Sequence, residues 1–465
     1  MPIVCKSILV KKIAYMRILI ISEYIAPLQA VASIRWTKIA KYLKRLHPDI
    51  HITVLTNEKR LDECGGIPNK DDLLAGDMGY FDEYLQFPRD KALDIYESLK
   101  EREKCTVASI QTDMLRAGEQ SSLWSQCKKE ILLTIRDVKD KIYYRQAMRF
   151  LSNHENLTFD IIISTYGPAW PHLVAEQIKR MLPNAFWLVD FRDPYAKETD
   201  GPISFLRHKH FTRKHCAQAN MITRVTDKLY VVPPAGIPVE TVSNGFDLDE
   251  ALLPAHPTVF SLVYTGVLYG EHSDIGIACK VLKELCQEGA VEHAFVSYAG
   301  PSADTAQMLA KQYGAEQYLK SLGMLPRREA LKLQQQAAVL LQLDWNSAMQ
   351  QCEWSGKMYE YMMMRKPIVF IVTGPKPYSY PRCHIAELGG CCYEESDAIT
   401  TYPQMKQYIL DKYQEWQRTG NTTIMRNEEY VKRYSYQYIT EQLWEKINLI
   451  QNKGEQNEPD EARAT

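Results

Sequence analysis

A short segment, Glu353 to Gly374, places charged residues at the start of a predicted helix. Ser355 and Gly356 precede the helix, and the free amides at such a start can receive phosphate oxygens. Lys357 adds a point charge suited to a diphosphate. One turn into the helix, Glu360 can accept hydrogen bonds from the two hydroxyls of a ribose. The alternative interpretation is an exposed Lys–Glu pair at i,i+3 spacing, worth about 0.2–0.5 kcal/mol.

Candidate residues in the first half of the chain have two interpretations each. His172 follows Gly-Pro-Ala-Trp-Pro at a predicted helix start, where it can contact the hydroxyl groups of a ligand or cap the helix. Arg192 can hold an anionic group of a ligand, such as a diphosphate, oriented by Asp193, or the two can form an internal ion pair. Ser33 and Arg35 begin another helix, where they can contact phosphate or sugar, or Ser33 can act as a plain N-cap.

Strands and helices that alternate along the chain must position these residues. The apolar runs Arg17 to Ser22 and His51 to Thr56 flank a helix, a β-α-β pattern that predicts parallel strands. The pattern returns at Asp160 to Thr165 and Phe186 to Phe191, and the segments Ala219 to Thr226 and Glu240 to Asp247 close this half. A second series has predicted strands at Phe260 to Gly266, His293 to Gly300, Ala338 to Asp344 and Pro367 to Gly374.

We therefore expect an α/β chain with two Rossmann-like parallel-sheet domains facing a cleft, because ligands bind beyond the carboxyl ends of parallel strands. The predicted domains are residues 16–248 and 258–425, followed by a helix over about 427–450 that packs back on the first domain and a disordered tail at 451–465. Residues 58–155 break the alternation, and we interpret them as a helical insert with helices over Leu85 to Glu103 and Leu123 to Leu151.

Composition excludes several classes of function. The chain has 465 residues and a formal net charge of -1, which argues against broad binding to nucleic acid. Its 11 cysteines include no Cys-x-x-Cys pair, so a disulfide framework or a zinc site is not expected, and reduced cytosolic thiols are the better interpretation. No apolar stretch approaches the roughly 20 residues of a membrane span. Asp247 and Asp249 have metal-binding spacing, but they lie in an interdomain turn, and we expect no metal.

The segment GKMYEYMMMRKPIV, starting at Gly356, closely resembles the donor-site helix of family 4 retaining glycosyltransferases, which have the GT-B fold. Other segments resemble that family in the same order over about residues 16–450. They are MRILIISEYIAP, ASIRWTKIAKYL, VSNGFD, LVYTGVLY and GMLPRREALKL, with DIIISTYGPAWPHLVA and VDFRDPY similar to the acceptor side of a bacterial surface-polysaccharide subgroup.

The resemblance implies retaining transfer of a hexose from a nucleoside diphosphate sugar to a glycan or lipid-linked acceptor, without metal or cofactor. The implied donor site comprises Gly266, Arg327, Ser355, Gly356, Lys357 and Glu360. Candidate catalytic residues are His172, Glu353 and Lys357, and the implied acceptor side comprises Ser33, Arg35, Arg192 and Asp193.

Two departures from the family pattern bear on the site. The family pairs two glutamates eight positions apart, whereas position 352 is Cys352 and Glu353 lies one place later. No Lys or Arg closely follows Gly266, and Lys357 and Arg327 are the candidates to supply that charge instead. These departures keep two alternatives open, a nucleotide-sugar epimerase of the same fold and a non-catalytic GT-B interaction module.

A membrane contact is a further expectation for a cytoplasmic protein of this kind, at the inner face of the membrane. Basic and aromatic residues of the predicted insert can touch a membrane or can form a solvated helix face. They are Lys128, Lys129, Tyr143, Tyr144 and Arg145.

Overall fold

One parallel sheet organises the first half of the chain. The computed structural model describes residues 15–58, 70–88, 123–154, 157–193, 202–250, 255–347 and 354–456. The strands are β1 Arg17–Ile21, β2 His51–Asn57, β3 Glu83–Phe87, β4 Ile161–Thr165, β5 Phe186–Phe191, β6 Met221–Arg224 and β7 Val239–Thr241. Their order is β3-β2-β1-β4-β5-β6-β7, so the direction of winding reverses between β1 and β4. Ligands bind at such a reversal in open parallel sheets.

Helices cover both faces of this sheet. They are α1 Val31–Leu46, α2 Asp72–Asp77, α3 Leu123–Leu151, α4 Trp170–Met181 and α5 Pro202–His215. The central strands are apolar along nearly their whole length because both faces are buried, and alternate residues enter two separate cores. Leu19 and Ile21 join one core with Trp170 and Trp187, and Ile18 joins the other.

A second parallel sheet repeats this arrangement. Its strands are β8 Ser261–Thr265, β9 Phe295–Ala299, β10 Leu319–Ser321, β11 Val339–Trp345, β12 Ile368–Thr373 and β13 Cys391–Glu394, in the order β10-β9-β8-β11-β12-β13. Its helices are α6 Gly276–Gln287, α7 Ala303–Gln312, α8 Arg327–Gln335, α9 Gly356–Met364, α10 Tyr380–Leu388 and α11 Ala398–Thr419. The expected architecture of two Rossmann-like parallel-sheet domains is confirmed.

The last part of the described chain returns to the first domain. A single helix was predicted from Asn427 to Ile450, but the structure has two, α12 Glu428–Lys432 and α13 Tyr436–Gln456, so that prediction is wrong. Because α13 extends to Gln456, the prediction of a disordered tail from residue 451 is wrong over residues 451–456. The break has a tertiary cause, because the backbone of Phe246 donates to Tyr434 and accepts from Tyr436 there. The apolar face of α13 enters the first-domain core beside α1 through Tyr436, Ile439, Leu443 and Ile447.

Three strands were not predicted from the sequence. β3 lies inside the predicted helical insert, where Leu85 begins a predicted helix but the structure has an extended strand. Leu85 and Phe87 are buried while Gln86 between them is exposed, which is the alternation of a strand. β10 and β13 are edge strands of the second sheet.

Within the described residues, no helix has the length and apolar character needed to cross a bilayer.

Candidate functional site

Lys357 lies directly over the backbone of Gly266 at the carboxyl end of β8. Gly266 has φ +128°, and a Cβ at this position would lie 2.7 Å from the Lys357 Nζ. Any side chain here would therefore displace the ammonium group as well as strain the backbone. The predicted donor-site residues Gly266 and Lys357, 91 positions apart in the chain, are brought into contact.

The surroundings of Lys357 hold its ammonium group in a low-dielectric site. Nζ donates to the Tyr264 hydroxyl at 2.5 Å and lies 4.1 Å from the centre of that ring. Burial lowers the pKa of Lys357 to about 8, against the opposing attraction of the Asp344 and Glu360 carboxylates. The ammonium group of Lys357 therefore loses its proton as the pH rises through about 8.

Glu360 lies one turn further along α9 and is only partly buried. Its carboxylate accepts a hydrogen bond of 3.0 Å from Gln334 Nε2 and has Arg327 Nε at 3.5 Å. Gln334 also donates to the Thr265 hydroxyl at 2.8 Å. These contacts fix the carboxylate next to the end of β8 while one side remains accessible.

The start of α9 presents backbone amides to the cleft. Ser355 is the N-cap residue, but its side chain does not cap the helix, and its Oγ instead accepts from Gln342 Nε2 at 3.1 Å. Gly356 is exposed, and a Cβ there would lie 3.2 Å from Val31 Cγ1 at the start of α1. The first turns of α1 and α9 therefore face each other across the boundary between the two domains.

Arg327 is held differently from the expectation for a donor ligand. Its guanidinium is paired with Glu250 at 2.5 Å and lies 3.5 Å from Asp71 and Glu360. Burial alone would lower the pKa of Arg327, but the surrounding carboxylates raise it above its usual value. Arg327 links the two domains, and its contact with the predicted donor site is the one with Glu360. Glu353, the candidate substitute for the first family glutamate, lies outside the described residues.

A cavity of about 650 Å³ opens on the first-domain side of the cleft. Its lining includes Val31 from the start of α1, the loop after β4, and the Arg192 and Asp193 segment after β5. Cationic, acidic and aromatic side chains share this lining: Glu23, Tyr24, Arg35, Arg136, Lys139, Tyr166, Arg192 and Asp193.

Arg192 lies against the backbone of Gly167, as Lys357 lies against the backbone of Gly266. Its Nη2 donates to the Gly167 carbonyl at 2.5 Å, and its guanidinium lies 4.8 Å from the centre of the Tyr24 ring. Gly167 has φ +98°, and a Cβ there would lie 2.9 Å from Arg192 Nη2. Asp193 pairs with Arg192 at 3.3 Å and is half-exposed at the cavity. The predicted pair exists, and it lines a cavity.

Arg35 is a buried part of the framework behind this cavity. It forms a two-point ion pair with Asp190 and donates to the Ser243 carbonyl at 2.8 Å. Burial alone would raise the pKa of Asp190, but Arg35 and the hydrogen bonds from Thr223 and Trp36 hold it below its usual value. Arg35 therefore fixes the β5 and β7 ends together, and only its edge reaches the cavity.

Ser33 and His172 are core residues, which corrects their predicted roles. Helix α1 begins at Val31 after the N-cap Ala30, so Ser33 lies inside the first turn and is fully buried. His172 is also fully buried, with Nδ1 2.8 Å from the Ser164 hydroxyl and its ring against Phe191. Desolvation lowers the pKa of His172 to about 3, so the ring is neutral and closed off from the cavity.

Asp247 belongs to a buried charge cluster. Together with Asp77 and Glu250 it forms the one group of carboxylates in the described residues with spacing suitable for a metal ion. The Lys38 ammonium lies among all three, at 2.5 to 2.8 Å, and Lys41 contacts Asp247 at 2.7 Å. Glu250 also pairs with Arg327, and Asp249 pairs with Lys41 and Arg45. Asp247 and Asp249 are therefore engaged with cationic side chains of α1.

Several residues beside Lys357 and Glu360 were not predicted from the sequence, Gln334 among them. Tyr264 holds Lys357, and Asp344, the penultimate residue of β11, lies beside Tyr264 and Lys357. The available signal for Asp344 was its position, a carboxylate at the carboxyl end of a buried strand that neighbours β8.

No protein-family model matches the chain, and no curated protein matches its sequence. Solved structures match over almost the whole length. The N-terminal domain of Candida albicans trehalose-6-phosphate phosphatase is 10% identical with a TM-score of 0.56, covering 93% of this chain and 97% of that one. An Escherichia coli structure described as trehalose-6-phosphate bound with UDP-2-fluoro glucose is 11% identical with a TM-score of 0.52, covering 93% and 98%.

A third match is the alpha,alpha-trehalose-phosphate synthase (UDP-forming) of Burkholderia vietnamiensis, 9% identical with a TM-score of 0.51, covering 94% of this chain and 100% of that one. At these identities the likeness concerns the fold. Together with the seven-stranded and the six-stranded parallel sheet, this likeness shows that the chain has the GT-B fold.

Proposed function

We propose that this protein is a glycosyltransferase that moves a sugar from a nucleoside diphosphate sugar to a glycan or lipid-linked acceptor, with retention, in cell-surface polysaccharide synthesis. The observation that carries the proposal is the first turn of α9. It brings Lys357 and Glu360 to the carboxyl edge of the second sheet, with Gly266 directly beneath the lysine.

The donor diphosphate would bind at the start of α9. Its oxygens would accept from the backbone amides there, which Ser355 leaves uncapped by its side chain, and from the Lys357 ammonium. The ribose hydroxyls would donate to Glu360. Because Lys357 is partly buried and already positioned by Tyr264, it can stabilise the charge of the departing diphosphate with little rearrangement. No metal ion is assigned a part in this scheme.

The acceptor would enter through the cavity of the first domain. That cavity contains Val31, which faces Gly356 across the domain boundary, so the proposed donor and acceptor sides adjoin. Arg192 is the cation best placed to hold an anionic part of the acceptor, because Gly167 and Tyr24 fix its orientation. The Escherichia coli structure of the same fold, bound with UDP-2-fluoro glucose, supports a nucleotide sugar as the donor class.

Calorimetric titration of the full chain with nucleoside diphosphates tests the donor site. Glu360→Gln is expected to weaken binding roughly ten- to hundred-fold, because hydrogen bonds to a charged group are lost. Glu329→Gln is the matched control, since Glu329 lies on the exposed face of α8 and pairs only with Lys332 among the described contacts. Equal affinities for Glu360→Gln and the unmodified chain would remove Glu360 from the site.

Incubation with nucleotide sugars separates transfer from the epimerase alternative. A transferase without acceptor is expected to hydrolyse its donor slowly, whereas inversion at C2 of the intact nucleotide sugar would identify an epimerase. If the unmodified chain binds no nucleoside diphosphate at all, neither enzyme assignment stands, and an interaction module becomes the remaining alternative.

A further inference from the structure

One side of α5 is basic along its described length. Leu206, Lys209, His210, Arg213 and Lys214 recur at three- and four-residue spacing and so share one face of the helix. Leu206 exposes 60% of its surface although it is a large aliphatic residue. The helix sequence contains no Asp or Glu. This face therefore combines positive charge with an exposed apolar side chain.

The outer side of α3 has the same character. Ile135, Val138, Lys141, Arg145 and Arg149 follow one another at three- and four-residue spacing, and all are exposed. Ile135 and Val138 expose 39% and 53% of their surfaces. An aliphatic end followed by three cations thus runs along α3 as well.

An apolar groove of about 730 Å³ lies between these two faces. Ala169, Leu173 and Phe211 lie along it, and its rim includes Lys141 of α3 together with Leu206, His210 and Lys214 of α5. Because these rim residues also belong to the two basic faces, the faces and the groove form one continuous surface. We call this surface the α3–α5 face.

Acidic residues within the groove are already engaged. Asp137 pairs with Arg207 at 2.5 Å, and Glu176 pairs with Arg180 and His215. Asp140 is buried, and one of its oxygens accepts from the Trp170 amide. The outward cations of the α3–α5 face therefore retain a local positive charge, although the whole chain has a formal net charge of -1.

We infer that the α3–α5 face docks the protein on a bilayer that contains anionic phospholipid. Lipid headgroups match the cations, and the exposed aliphatic side chains can enter the boundary between headgroups and acyl chains. A nucleic acid would match the charge alone and leave Leu206, Val138 and the groove in water. The inference does not depend on sugar transfer.

This surface replaces the membrane contact expected from the sequence. Tyr143 is buried against Phe87 and Trp170, so it cannot reach a membrane, and that part of the expectation is wrong. Tyr144 lines the groove and Arg145 belongs to the face, while the side chains of Lys128 and Lys129 lie outside the described residues. On its other side α3 lines the 650 Å³ cavity through Arg136 and Lys139, one helix width from the docked surface.

Flotation of the full chain with vesicles tests the inference. Binding is expected to vesicles of phosphatidylcholine with phosphatidylglycerol, to be much weaker to phosphatidylcholine alone, and to decline with added salt. Lys209→Gln combined with Arg213→Gln should weaken binding roughly twenty-fold, since each cation near an anionic surface contributes about five-fold. Leu206→Ser should weaken the binding that persists in high salt.

The matched control is Lys311→Gln combined with Lys320→Gln, which removes two exposed cations from the second domain. Equal losses in the two double variants, equal binding to both kinds of vesicle, or tighter binding to a short RNA duplex would overturn the inference. If the first double variant melts early, Lys141→Gln with Arg145→Gln carries the same expectation on α3. Without vesicles, affinity for whichever nucleoside diphosphate the unmodified chain binds should stay unchanged in every variant, which separates this face from the proposed donor site.

Discussion

At the residue scale, each half of the cleft places a cationic side chain against the backbone of a glycine. Lys357 lies over Gly266 and Arg192 lies over Gly167, and each glycine has a positive φ just beyond the end of a strand. Removing the Cβ lets a long cationic side chain lie flat on the backbone. The direction in which each charge points is therefore set by rigid main chain and not by side-chain freedom alone.

The titration of Lys357 predicts a pH dependence of donor binding. Burial lowers the pKa of Lys357 to about 8, so the side chain is charged below that pH and neutral above it. Because only the charged form attracts a diphosphate, the affinity for a nucleoside diphosphate should fall as pH rises through 8, by up to about tenfold per pH unit. Lys357→Arg keeps its charge and should lose this dependence. Calorimetry on both sides of pH 8 provides the measurement, and parallel pH profiles for the two proteins would contradict it.

The grouping of Lys357 and Glu360 at the start of α9 near Gly266 could be predicted, because a helix start followed by Lys and Glu leaves few arrangements, whereas their part in donor binding stays a prediction. Ser33 and His172 could not be predicted, because their roles depended on where a helix begins. Each residue turns a helix by about 100°, so a start two or three residues earlier moves a side chain from the edge into the core. Val31 and Trp170 are those earlier starts.

At the element scale, Lys38 joins α1, the end of α2 and the turn after β7. Lys38→Met is expected to destabilise the protein by about 3–5 kcal/mol, because it leaves the carboxylates of Asp77, Asp247 and Glu250 close together with less compensation. Chemical denaturation followed by fluorescence measures the loss. Lys44→Met serves as the control, since the Lys44 pair with Asp82 is partly exposed and should contribute about 0–1 kcal/mol. Similar losses in both variants would contradict a special role for Lys38.

Long apolar strands were predictable at this scale, and short or tertiary features were not. β8 and β12 are buried on both faces and read as continuous apolar runs. β10 has three residues, too few for a periodic signal. The break between α12 and α13 depends on a backbone pairing with Phe246, almost two hundred positions earlier, which local sequence does not report.

At the scale of the whole molecule, Arg327 connects the domains. It belongs to the second domain, pairs with Glu250 and Asp71 from the first-domain side, and lies beside Glu360 of the proposed donor site. The ion pairs between the domains therefore lie next to Glu360, the residue expected to hold the nucleotide.

Replacing this connection should loosen the pair of domains. Arg327→Gln is expected to increase the radius of gyration measured by small-angle X-ray scattering, because Glu250 and Asp71 then lose their charged partner across the boundary. Arg328→Gln, the exposed neighbour on the same helix, should leave the scattering unchanged. A radius of gyration unaltered by Arg327→Gln would show that the apolar contacts alone hold the domains together.

The return of α13 to the first domain also orders events during synthesis. Tyr436, Ile439, Leu443 and Ile447 complete a core whose other members include α1 and β1, at the opposite end of the described chain. A ribosome adding about 5–20 residues per second would need roughly 10–40 s to pass from β7 to α13. The first domain therefore emerges with one side of its core uncovered, and the second domain can fold before the first one closes.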